Sequence, residues 1–115
     1  MQDFRGLDVW KKAHLLVLAI YKATSSLPSD EVFGITIQLR RSAVAVPTRI
    51  AEGCGRESNG EMTADLRRAV AGCNEAEYLM LLAKDLGYWN TEIHDTLNKD
   101  LVEVRKMIHG FLRKL

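Results

Sequence analysis

Apolar side chains recur every three or four positions along almost all of this chain, and strict alternation never lasts more than a few residues. That periodicity specifies helices and gives no strand pattern. The first helix is expected from about Asp8 to Ser25, with Asp8 as its N-cap. At ~100° per residue, Val9, Ala13, Leu16, Val17, Ile20 and Tyr21 share one face, with Trp10 at its edge. Leu15, Leu18 and Ala19 fall on the other side, among Lys11 and Lys22. A helix that is apolar on both sides needs cover on both, so these three are candidate oligomer-interface residues.

Leu27-Pro28 ends that helix, and Ser29 or Asp30 caps the next. The second helix is expected to run to about Arg56 with an inward stripe of Ile35, Leu39, Ala43, Val46, Ile50 and Cys54. Pro47 removes a backbone donor and predicts a kink; the stripe keeps its phase across it, so the segment reads as one bent helix. Ser42, Ala43, Ala45 and Ala51 are small enough to let a neighbouring backbone approach closely. Gly53, Gly55, Ser58, Asn59 and Gly60 mark a turn, and Ser58 with Glu61 matches a capping box for a third helix over about Asn59 to Leu86. Met62, Leu66, Ala69, Val70, Cys73 and Met80 form one stripe of that helix; Leu79, Leu82 and Leu86 form another. After Gly87-Tyr88-Trp89-Asn90, Asn90 or Thr91 caps a fourth helix with Ile93, Leu97, Leu101, Val104, Ile108, Phe111 and Leu115 in register.

Short connections between four helices predict an all-α, antiparallel up-down-up-down four-helix bundle, kinked in its second helix near Pro47. One domain over residues 1–115 is expected, with the two central helices longer than the outer two. A chain of 115 residues, 47% hydrophobic and 27% charged, can bury a core without staples. The formal net charge of +1 removes a global electrostatic case for nucleic acid or an acidic membrane, so any such surface must be local. Met1-Gln2-Asp3-Phe4-Arg5 lacks the basic start of a signal peptide, and the apolar run Leu15 to Ile20 is far short of the ~20 residues a membrane span needs. A cytoplasmic protein with no membrane partner is expected.

Chemistry is sparse. His14, His94 and His109 pair with no cysteine or carboxylate at a signature spacing, and neither His-Glu-x-x-His nor Cys-x-x-Cys occurs. Cys54 and Cys73 sit in apolar stripes as small buried thiols, too far apart in a helical hairpin to bridge. Gly53-x-Gly55 follows no strand and precedes no Gly-Lys-Ser, so it reads as a helix connection. Glu75 and Glu77 point ~160° apart and form no dyad. Glu77 lies near the apolar stripe and needs a partner, with Arg41 or another arginine of the second helix expected. No catalytic residue, metal or cofactor is assigned, and no enzymatic activity is expected.

The arginines carry the remaining signal. Arg41, Arg49 and Arg56 fall within an arc of about 80° on the second helix, with Glu52 interposed. Arg40 lies outside the arc, and Arg67 and Arg68 follow on the third helix. Guanidiniums suit bidentate phosphate recognition, which makes Arg41, Arg49 and Arg56 candidate nucleic-acid-binding residues. Salt bridges between subunits, or plain solvation, are the competing readings of the same arc.

One set of residues is familiar as a set. Phe4-x-x-Leu7-x-Val9-Trp10-x-x-Ala13 is followed by Tyr21, Thr24, Leu27-Pro28, Glu31 and Gly34. Then come Gln38-x-x-Arg41, Val46-Pro47, Ile50-Ala51-Glu52-Gly53-x-x-Arg56, Glu75-x-Glu77-Tyr78-Leu79 and Leu86-Gly87-Tyr88. Together they resemble the four-helix-bundle family named for the 23S rRNA-intervening-sequence proteins. Two positions depart from that pattern: Arg49 stands where the family has asparagine before Ile-Ala-Glu-Gly, and Ala71-Gly72 where it has a Gly-Ser pair. The resemblance implies a homo-oligomer, commonly a ring-shaped pentamer. The chain is also similar to the accessory variability determinants of diversity-generating retroelements, which implies association with nucleic acid or with a nucleic-acid-processing protein. The expected function is a non-enzymatic oligomeric accessory or adaptor protein that binds nucleic acid through the arginines; a protein-binding module without nucleic acid is the alternative.

Overall fold

In a computed structural model that describes residues 2–115, all regular structure is helical. Met1, the first residue of the segment read as lacking a signal peptide, lies outside these residues. The four long helices are α1 (Asp8–Thr24), α2 (Ile37–Cys54), α3 (Asn59–Asp85) and α4 (Thr91–Leu112). Each packs on the next and α4 returns to α1, closing a four-helix bundle. Among the described residues no helix is long and apolar enough to cross a membrane.

The chain enters through a single 3-10 turn, Phe4–Gly6, capped by the Asp3 carboxylate, and the Gln2 amide donates to the Cys54 carbonyl at 3.2 Å. The start of α1 is thereby tied to the end of α2. Asp8 is the first residue of α1 and not its cap; Leu7 holds that position with extended backbone and no capping side chain.

The second helix starts later than its apolar stripe predicts. Ser29–Glu31 is a 3-10 turn and Val32–Thr36 a π-turn, broken at Gly34 (φ −105°, ψ −118°), and regular α-helix begins only at Ile37. Periodicity alone could not show the break, because Ile35, the residue that follows it, is buried in step with the rest of the stripe. Glu31 takes the capping role expected of Ser29 or Asp30. One of its carboxylate oxygens accepts from the Ile35 amide at 3.3 Å, the other from the Tyr88 hydroxyl at 2.8 Å. Pro47 stands within α2, which continues past it as one helix to Cys54. With its late start, α2 spans 18 residues against 22 for α4, so only α3, at 27, is a long central helix.

Ser58 caps α3 by accepting from the Glu61 amide, and Asn90 caps α4 by accepting from the Ile93 amide at 2.9 Å. Between them the end of α3 closes in a Schellman arrangement. Tyr88 N–H donates to the Ala83 carbonyl and Gly87 N–H to that of Lys84, with Gly87 at φ +80°, where a Cβ would be strained. Trp89 then turns inward, and its indole N–H donates to the Ala23 carbonyl at 3.0 Å, fastening this corner to the end of α1.

All six residues of the stripe predicted for the second helix are buried, Ile35 in the π-turn and the other five in α2, as are Val9, Ala13, Leu16, Val17 and Ile20 of α1. Tyr21, expected with them, is exposed, with the Arg40 guanidinium of α2 4.5 Å from its ring centroid. The middle of the α4 stripe (Leu97, Leu101, Val104 and Ile108) is buried, while its ends, Ile93 and Leu115, are exposed. Leu86 is exposed as well. Glu77 meets Arg105 of α4, not an arginine of α2: two guanidinium nitrogens donate to its two oxygens at 2.9 and 3.1 Å.

Cys54 and Cys73 are both free and buried. Burial raises both thiols, Cys73 to about 11 despite the opposing pull of Arg105. Since only the thiolate is nucleophilic, neither cysteine is expected to react with iodoacetamide at neutral pH until denaturant is added. Mass spectrometry of the labelled protein checks this, and fast native labelling of Cys73 would contradict it.

Candidate nucleic-acid interface

The predicted arginine arc divides in two. Arg41 and Arg49 line one groove of about 340 Å³ between α1 and α2, together with Arg40, Tyr21, Thr48 and Glu52. Arg56 lies beyond the end of α2 and is committed elsewhere: its Nε donates to the Asp65 carboxylate at 2.7 Å. Arg56 therefore stands outside the arc expected to hold it with Arg41 and Arg49. The 80° arc assumed a helix continuing to Arg56, whereas α2 ends at Cys54 and the chain turns.

Asp65 explains why Arg56 turns inward. Its side chain is 0% exposed, and it also accepts from Arg68 at 3.0 Å. The hydrogen bond from Arg56 holds the carboxyl below its ordinary range, against the opposing effect of burial. The sequence carries a signal for Asp65 that helical periodicity alone does not bring out. This residue falls between Met62 and Leu66 on the apolar stripe of α3, where a charge needs a partner, and Arg68 follows three residues on.

Within the groove the arginines differ in freedom. Arg40 donates to the Thr24 hydroxyl at 2.8 Å and the Tyr21 carbonyl at 3.2 Å, fastening α2 to the end of α1. Arg49 pairs with Glu52 at 3.0 Å one helical turn away. Arg41 is exposed and has no hydrogen bond or ion pair among the described residues. Three guanidiniums thus face one carboxylate in the groove, and Arg49 already neutralises that carboxylate. Arg67 lines a different depression with His109 and Arg113, on the α3–α4 side.

The candidate self-association residues sit on the outside of α1. Leu15 is 63% and Leu18 53% exposed, whereas Ala19 is half-buried. Lys12, on the α4 side of the same helix, pairs with Glu103 at 2.7 Å. His14 is exposed, His94 is buried beside Asp95, and His109 is exposed. No group of three His, Cys, Asp or Glu side chains among the described residues gathers as a metal site.

This geometry has parallels. The model of the 23S rRNA-intervening sequence protein family matches residues 5–110. Among solved structures, a protein of unknown function from the S23 ribosomal protein family of Bacteroides thetaiotaomicron superposes with a TM-score of 0.82 at 23% identity. The match covers 90% of this chain and 97% of that one, and at such identity it speaks for the fold alone. No curated protein matches the chain at a significant level.

Proposed function

Because the chain belongs to the 23S rRNA-intervening sequence protein family, we propose that it is a non-enzymatic, self-associating accessory protein that presents the Arg41–Arg49 groove to nucleic acid. The observation that carries the self-association is the outward pair Leu15 and Leu18, more than half exposed on a helix whose other face is fully used in the core. Two leucines one turn apart lose hydration cost when a second copy covers them, at roughly 25 cal/mol per Å² of apolar area. A ring of copies, a pentamer in this reading, repeats the groove around its circumference. Arg41 supplies an uncommitted guanidinium in each copy, and the repeat turns a weak contact into several phosphate contacts with a steep salt dependence.

Solution mass and nucleic-acid binding measured on the same sample test both halves. Light scattering at micromolar concentration is expected to report an oligomer, and Leu15→Glu with Leu18→Glu to reduce it to monomer with helicity intact. Affinity for RNA or DNA is expected to fall steeply with added salt and to weaken several-fold in Arg41→Gln. A monomeric parent protein refutes the assembly; absence of binding at low salt refutes the nucleic-acid contact and leaves a protein-binding module.

A further inference from the structure

The arginine groove continues into a second depression with different walls. Phe4, Trp10 and His14 line one side and Val44, Pro47 and Thr48 the other of an open depression of about 410 Å³. Val44, Thr48 and Glu52 border both depressions, so the two form one strip along the α1–α2 seam. Its aromatic half is ordered: the Phe4 and Trp10 rings meet at 4.9 Å with a 60° tilt, and the His14 imidazole stacks on the Trp10 indole at 5.1 Å, within 8° of parallel. Trp10 is only half-buried and His14 is exposed, so the stack has not been absorbed into the core.

We infer that this strip is a track for single-stranded nucleic acid, in which the aromatic half takes an unpaired base and the arginine half the neighbouring phosphates. The inference rests on the nucleic-acid reading of the arginine groove and narrows it. Flat aromatic walls gain little from phosphates, yet they stack on any base whose face is free, and in a duplex those faces are already covered. Charge complementarity favours the same ligand. The one carboxylate of the strip, Glu52, is bound by Arg49, which leaves Arg41 and the outer edge of Arg40 directed at an anionic backbone beside the aromatic walls.

The two tryptophans supply a readout. Trp89 is 3% exposed and hydrogen-bonded inside the bundle, so it gives a constant background, while Trp10 lies in the strip. Titration of the full chain with a short oligo(dT) at low salt is expected to quench Trp10 fluorescence. The same strand carrying abasic sites, equal in charge, and a duplex of equal length are each expected to bind at least ~5-fold more weakly. His14→Ala is expected to weaken oligo(dT) binding by about 5-fold and leave duplex binding unchanged, and His14→Phe to restore it. His14 is exposed, so the fold tolerates both variants. Equal affinity for the abasic strand, or an unchanged His14→Ala, overturns the base site while leaving the phosphate contact standing. Failure of every strand and duplex to bind removes both.

Discussion

Arg56→Ala combined with Arg68→Ala is expected to lower folding stability, read as a fall in the urea-denaturation midpoint at neutral pH. Neither arginine contributes much to the core; the loss comes from Asp65, which is 0% exposed and has these two guanidiniums as its partners. An ionised carboxylate left alone in that position keeps its desolvation cost and loses its compensation. Water admitted by the shortened side chains offsets part of that loss, since both arginines already reach solvent. Asp65→Ala should cost less than the double variant, because it frees two arginines that reach solvent easily. The effect of pH separates this from simple loss of packing. In the parent protein, Asp65 and Glu77 titrate below their ordinary values of 3.8 and 4.5, each held there first by an arginine hydrogen bond. A lowered folded pKa gives stability that is present above the ordinary range and is lost as pH falls through the folded value, so the parent weakens below about pH 4. In the double variant burial alone acts on Asp65 and raises it, so protonation relieves the defect and the gap between the proteins narrows in acid. A gap that is constant from pH 7 to pH 3 would show that Asp65 is not its origin.

Gly72→Leu is expected to be damaging, at about 3 kcal/mol, the upper part of the range for overpacking. α2 and α3 share the most extensive interface of the bundle, and Gly72 is where their backbones approach. A Cβ added there would stand 3.1 Å from the Ser42 carbonyl oxygen, 3.3 Å from Val46 and 3.6 Å from the Ala45 Cβ. The backbone oxygen cannot rotate away, so a larger side chain must push the helices apart and loosen the buried stripe on both. Gly72→Ala is the control: a helix propensity gain of up to ~1 kcal/mol offsets a contact a few tenths of an ångström too short, leaving stability near that of the parent. Thermal denaturation of both variants checks the pair, and a leucine variant that melts like the parent would show slack in this interface.

These residues also mark how far the sequence could be read. Ser42 and Ala45 were legible as small positions permitting a close neighbour, and the structure supplies that neighbour, Gly72. The buried stripes of α1 and α2 were legible because 3.6-residue periodicity follows directly from helix geometry. Periodicity says nothing about backbone continuity, however, so the break at Gly34 leaves no mark in the stripe, and the predicted second helix is too long at its start. Partner choice was illegible for a related reason. Glu77 had a suitable arginine on every neighbouring helix, and only the packing of α3 on α4 selects Arg105. The candidate interface was half legible: Arg41 and Arg49 share a groove, but Arg56 belongs to Asp65, and the aromatic stack of Trp10 and His14 combines two residues that read separately as a core edge and a surface histidine.

The contact between α1 and α4, marked by Lys12 against Glu103, joins the helices farthest apart in the sequence. During synthesis the first helix therefore waits with one flank bare until the fourth has left the ribosome, and the closing step carries the largest loop entropy of any helix pairing in the molecule. Over that interval the side chains of α1 that α4 later covers stay open to solvent, so the pace of translation across the last helix sets how long a nascent chain is open to the wrong neighbour.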